Sequence, residues 1–182
     1  MIKVILWDVD GTLLDFKAAE KAAIRKCFSI FQLGQCTDDM IKEYSAINDK
    51  YWRALEKGTL TKPEVLVGRF QEFFSLHGLP VEKAVPFNDE YQIRLGDTVV
   101  FRDDSYELVK SFQGKVLQGV VTNGTKTAQV KKLANSGFDK LIELTFISDE
   151  IGVEKPNVGF FDVVFEKLAS YVSFKKDEIM IV

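Results

Sequence analysis

The sequence is poor in the residues that most often announce a function. Its only histidine, His77, sits just before Gly78 at the end of a helical pattern, where a cation is favourable and no catalytic role is expected. Its two cysteines, Cys27 and Cys36, are nine apart, match no metal-ligand spacing and read as free, partly buried thiols. No apolar run approaches the roughly 20 residues that span a bilayer. The chain enters a strand pattern almost at once, without a cleavable signal pattern, so a cytoplasmic location is expected. Basic residues are in slight deficit, 24 Lys and Arg against 27 Asp and Glu. The net charge of −3 supplies no field for nucleic acid. Internal repeats and low-complexity stretches are also missing. What is abundant is core material, with 46% hydrophobic residues and 15 Phe in 182 residues. That is enough for one domain, or for a core carrying an insertion.

Residues 1–14 read MIKVILWDVDGTLL. Val4, Ile5, Leu6 and Trp7 suit a strand buried on both faces, as in a parallel sheet. Asp8 and Asp10 follow at once, two apart, and in an extended chain they would point to the same side. Two like charges at the end of an apolar strand are costly. They call for a cation, a shared proton, or both. In open α/β sheets, ligands also sit at the carboxyl ends of the strands.

The pattern then changes character twice. Over residues 16–97 it is almost wholly helical. Phe16, Ala19, Ala23, Cys27 and Phe31 recur at helical spacing up to Gly34. Thr37 can cap a second helix with Asp38 and Asp39 in its first turn. Thr61, Pro63 and Glu64 form a capping-box start to a third, which carries Phe70 and Phe73. A fourth is expected over about residues 88–95. From residue 99 the alternation returns: helix 105–112, strand 116–121, helix 127–135, strand 144–147, helix 158–168 and strand 179–182. Strands alternating with helices predict an α/β fold with a parallel, Rossmann-like sheet. The expected organisation is a core from residues 1–15 and 98–182, with residues 16–97 inserted as a helical cap over the site.

Three strand-end loops carry candidate chemistry: Asp8 to Thr12, then Thr122-Asn123-Gly124, then Lys155-Pro156. Each has an ordinary reading, as an Asp-Gly turn, a helix cap or a surface lysine. Parallel strands, however, bring their carboxyl ends to one rim. Two carboxylates, a hydroxyl with a nearby N–H and a lysine together suit phosphoryl transfer, which needs positioning and charge neutralisation. A carboxylate can itself be the nucleophile, and Mg²⁺ would join it to the phosphate while keeping several waters.

These motifs resemble the first three of the haloacid dehalogenase (HAD) superfamily, and the insertion after the first resembles its type-1 cap. The stretch ISDEIGVEKPN is similar to the subgroup of pyrimidine 5′-nucleotidases and related small-molecule phosphatases. The resemblance implies that Asp8 is the nucleophile and an Mg²⁺ ligand. Asp10 would be the general acid and then the base, its main-chain carbonyl also binding Mg²⁺. Thr122 and the N–H of Asn123 would hold phosphate oxygens. Lys155 would offset charge on the nucleophile and phosphoryl group. The implied activity is Mg²⁺-dependent hydrolysis of a small phosphorylated metabolite, a nucleoside 5′-monophosphate being one candidate.

One departure stands out. The superfamily's fourth motif, an acidic pair after the next core strand, has no counterpart here, because the sequence stops at Val182. Either the chain is a fragment or a substitute ligand serves, and weaker Mg²⁺ binding is expected. Asp149 and Glu150 are the only nearby acids, and they read better as helix-capping or solvated groups. A phosphomutase, a dehalogenase-type hydrolase and a non-catalytic binding module remain the alternatives. Phe70, Phe73 and Phe74 read as packing, Lys131 and Lys132 as a solvated helix face, and Asp103 and Asp104 as helix-capping residues.

Overall fold

A computed structural model describes residues 1–182. The chain divides into two compact units, one of residues Met1–Phe16 and Val99–Val182, the other of Lys17–Thr98. No helix is long and apolar enough to cross a membrane.

The first unit is built on a four-stranded sheet of β1 (Val4–Trp7), β2 (Leu117–Thr122), β3 (Leu144–Ile147) and β4 (Ile179–Ile181). Its order is β3-β2-β1-β4 and every pairing is parallel. This is the α/β architecture expected from the alternation. Strand β1 is buried at all four positions because both faces of the sheet are covered. Val4 and Leu6 pack with Phe160, Val164 and Leu168 of α7 (Val158–Ala169). Ile5 and Trp7 pack on the opposite side with Val109 of α5 (Ser105–Ser111) and Leu133 of α6 (Lys126–Ser136). One inward glutamine is fully satisfied: Gln118 accepts from the Trp7 indole at 3.0 Å and donates to Val109 and Leu141 carbonyls.

The second unit holds α2 (Asp38–Glu56), α3 (Lys62–Leu76), α4 (Ala84–Leu95) and all but the first residue of α1 (Phe16–Ile30). The predicted caps form. Thr37 accepts from the Met40 N–H, and Glu64 reaches back to the Thr61 N–H at 2.7 Å. Helix α4 starts earlier than its apolar pattern suggests, after a 3-10 turn at Val81–Lys83. Helix α1 stops at Ile30, short of Gly34, where Gln32 takes a positive φ. The interior is aromatic: Tyr44 stacks on Phe70 at 5.0 Å, and Phe87 meets Phe70 and Phe74 edge-on.

Candidate active site

Strand β1 ends at Trp7, and the chain then closes into a tight hydrogen-bonded loop rather than staying extended. The Val9 carbonyl accepts from the N–H groups of Thr12, Leu13 and Leu14, and Gly11 donates to the Leu14 carbonyl at 2.8 Å. Gly11 has a φ of +89°, a conformation that L side chains resist. The loop gives Asp8 and Asp10 separate partners, which simple strand alternation does not foresee.

Asp8 is paired through Oδ1 with Lys155 Nζ at 2.8 Å. Lys155 also donates to the Val121 carbonyl at 2.8 Å, so its ammonium is fixed from two sides. Asn123 fixes the lysine's main chain: it accepts from the Lys155 N–H at 2.7 Å and donates to the Lys155 carbonyl at 2.9 Å. The second and third loops are thus joined to each other, and the third to the first through Asp8. Thr122, the last residue of β2, is buried and accepts from the Gly124 N–H at 3.3 Å. Burial pushes the Asp8 carboxyl above its ordinary range. The Lys155 ammonium opposes this by charge and hydrogen bond, and the charge of Asp10 adds to the rise. Parallel pairing of β2 with both β1 and β3 is what brings these loops together.

Asp10 is held from α6. Gln129 Nε2 donates to Asp10 Oδ2 at 2.7 Å, and Lys132 Nζ bonds Asp10 Oδ1. Lys132 is the main correction to the sequence reading. It does not lie on a solvated face, because its side chain is only 2% exposed. Its ammonium also sits 5.2 Å from the centroid of the Phe16 ring. The sequence carried a signal for this. The buried residues Ala128, Gln129, Lys132, Leu133 and Ser136 form one helical stripe, and two of them are the apolar residues that define it. Aliphatic Lys stems bury readily along such a stripe. Asp149 and Glu150 act at the start of α6. Asp149 accepts from the Lys126 N–H at 3.0 Å, and Glu150 pairs with Lys126 Nζ at 2.8 Å. Asp104 stands at the N-cap position of α5 without a side-chain capping bond.

The donor set suits a hard cation. Lys155 engages Asp8 through Oδ1, which leaves Oδ2 off the ammonium, and the Val9 main chain also bonds the carboxyl. Both side-chain oxygens of Asp10 are occupied, which leaves its main-chain carbonyl to offer. One carboxylate oxygen and one carbonyl match Mg²⁺, which keeps several of its waters.

A model of the haloacid dehalogenase-like hydrolase family matches residues 2–182. The chain is 32% identical over 169 residues to the HAD-hydrolase YfnB of Bacillus subtilis, covering 93% of this chain and 71% of that protein. It is 29% identical over 172 residues to the pyrimidine 5′-nucleotidase PynA of Streptococcus pneumoniae, again covering 93% and 71%. The crystal structure of magnesium-bound YfnB matches with a TM-score of 0.89, over 99% of this chain and 77% of that one. The L-2-haloacid dehalogenase of Xanthobacter autotrophicus shares the fold, with a TM-score of 0.71 at 18% identity over 100% of this chain and 69% of that one. By these matches and by the loops that carry Asp8, Asp10, Thr122 and Lys155, the chain belongs to the haloacid dehalogenase-like hydrolases.

Proposed function

We propose that this protein hydrolyses phosphomonoesters of small metabolites, with Mg²⁺ as cofactor and Asp8 as nucleophile. The observation that carries this reading is the environment of Asp8. It is a partly buried carboxylate with Oδ1 on a fixed ammonium and Oδ2 off it. Asp8 attacks phosphorus, the ester P–O bond breaks, and Asp10 gives a proton to the departing oxygen. Water then attacks the aspartyl-phosphate, its proton going to Asp10, and phosphate leaves as Asp8 is restored. Lys155 balances charge on Asp8 and on the phosphoryl group throughout. Thr122 and the N–H of Asn123 hold phosphoryl oxygens. Mg²⁺ would be held by Asp8 and the Asp10 main-chain carbonyl and would supply positive charge to the phosphoryl group.

Asp10 weighs against carbon–halogen chemistry, because a halide leaves without a proton. The helical unit is the cap in this reading and sets the choice of leaving group. The likeness to a pyrimidine 5′-nucleotidase makes pyrimidine nucleoside 5′-monophosphates the first substrates to try. The test is phosphate release from a panel of phosphorylated metabolites, with and without Mg²⁺. Activity should require Mg²⁺ and fall by at least about 10³-fold in Asp8→Asn. Turnover that survives Asp8→Asn, or no release from any ester, would overturn the reading.

A further inference from the structure

The inner face of α6 spends two long polar side chains on one carboxyl group. Gln129 and Lys132 are three apart on the helix, so their side chains leave the same face. Each takes one oxygen of Asp10, which locks rotation about the final torsion of that side chain. Neither choice is explained by stability alone. Lys132 gives up nearly all of its solvent. Gln129 is 1% exposed, and its Oε1 has no hydrogen-bond partner. The helix itself is anchored where it begins, by Thr125 on the Ala128 N–H and by Asp149 on the Lys126 N–H. It is a rigid platform for both groups.

The glycine of the Thr-Asn-Gly turn belongs to the same device. Gly124 has no positive φ that would demand glycine. A Cβ there would instead lie 2.1 Å from Gln129 Nε2 and 2.7 Å from its Cγ and Cδ. The Gln129 side chain crosses over residue 124 on its way to Asp10. The obstructed atoms are the end of a flexible side chain, so an alanine is accommodated by moving Gln129 away rather than by unfolding the turn.

We infer that Gln129 and Lys132 are positioning residues that aim the Asp10 carboxyl at the leaving-group oxygen, and that Gly124 is glycine to let Gln129 reach it. This rests on the phosphomonoesterase reading above. In that reaction the P–O bond to the leaving group breaks as the Asp10 proton moves to that oxygen, and the proton of the attacking water later returns to Asp10. A misaimed carboxyl harms the first transfer most when the leaving alcohol is a poor one.

The experiment compares kcat/KM, which reports steps up to phosphorylation of Asp8, for an alkyl phosphate and for nitrophenyl phosphate. Nitrophenolate departs with little need of a proton. Gly124→Ala, Gln129→Ala and Lys132→Met should each lose roughly 10- to 100-fold on the alkyl ester and far less on the nitrophenyl ester. Gly124→Ala combined with Gln129→Ala should lose no more than Gln129→Ala alone, since both act through one side chain. Thermal unfolding of each variant shows that it is folded. Equal losses on the two esters, no loss on either, or additive losses in the double variant would overturn the inference while leaving the phosphatase reading intact. No release from either ester by the unaltered protein, or full activity in Asp8→Asn, would remove the phosphatase reading and this inference with it.

Discussion

The two units bury charge in opposite ways. In the α/β unit the two acids after β1 each meet a lysine, Asp8 with Lys155 and Asp10 with Lys132. In the helical unit the buried charges have weaker company. Arg69 is 1% exposed, and its guanidinium donates only to neutral acceptors, Asn48 Oδ1 at 2.6 Å, Asn88 Oδ1 at 3.2 Å and the Leu66 carbonyl. Its faces lie against aromatic rings, 4.9 Å from the centroid of Phe70 and 5.2 Å from that of Tyr91. Glu20 is buried with Oε1 on Ser45 and Lys17 and with Oε2 unpartnered. The difference separates two uses of polarity. In the proposed mechanism the paired and oriented charges beside the strand ends serve chemistry. In the helical unit the aromatic packing carries the stability, and the polar groups draw on it.

That contrast can be broken in four places. The largest effect should come from Phe70→Ala, which removes a fully buried ring that meets Tyr44, Phe87 and Tyr91. A loss of about 3–5 kcal/mol is expected in denaturant unfolding. A loss near zero would mean that the aromatic cluster does not hold the unit. Next, Lys155→Met should reduce phosphate release by about 10²- to 10³-fold, because it strips the ammonium from Asp8. A variant as active as the parent would deny the pair its chemical use.

A smaller effect should come from Glu20→Gln. Burial raises the Glu20 carboxyl above its ordinary value of 4.5, outweighing Ser45 and Lys17, which lower it. The folded protein therefore holds this proton more tightly than the unfolded chain does. Stability from this group is complete below the ordinary value and is lost as pH rises through the raised one. Glu20→Gln should unfold at a higher temperature than the parent at neutral pH, and the gap should close as pH falls toward 4.5. A gap that widens on acidification would reverse the sign of this argument. The mildest effect concerns the thiols. Burial pushes Cys27 up to about 12 and leaves it inaccessible, whereas Cys36 is only half-buried. Alkylation of the folded protein at mildly alkaline pH should modify Cys36 alone, and two equally fast thiols would show that the α1 interior opens readily.

Much of the fold and the site is legible from residue order. Apolar runs mark the four strands. The position of Asp8, Thr122-Asn123 and Lys155 at or after the ends of three of them marks the candidate site, since parallel strands share one rim. Residues 129 and 132 escape a sequence reading because two adjacent lysines look solvated unless the stripe of Ala128 and Leu133 is drawn first. Gly124 reads as an ordinary turn residue, for its cause is another residue's side chain and not its own backbone.

The sequence by itself determined which segments become strands and helices, because apolar period and capping residues act over a few positions. It also determined that acids, a hydroxyl and a lysine end up at strand termini. Only the tertiary structure decided which acid meets which lysine. Asp8 and Lys155 are 147 residues apart, and Asp10 and Lys132 are 122 apart. Their meeting depends on the sheet order β3-β2-β1-β4 and on the rotation of α6 over the sheet. No local pattern encodes those quantities, since they arise from packing both faces of β1 at once.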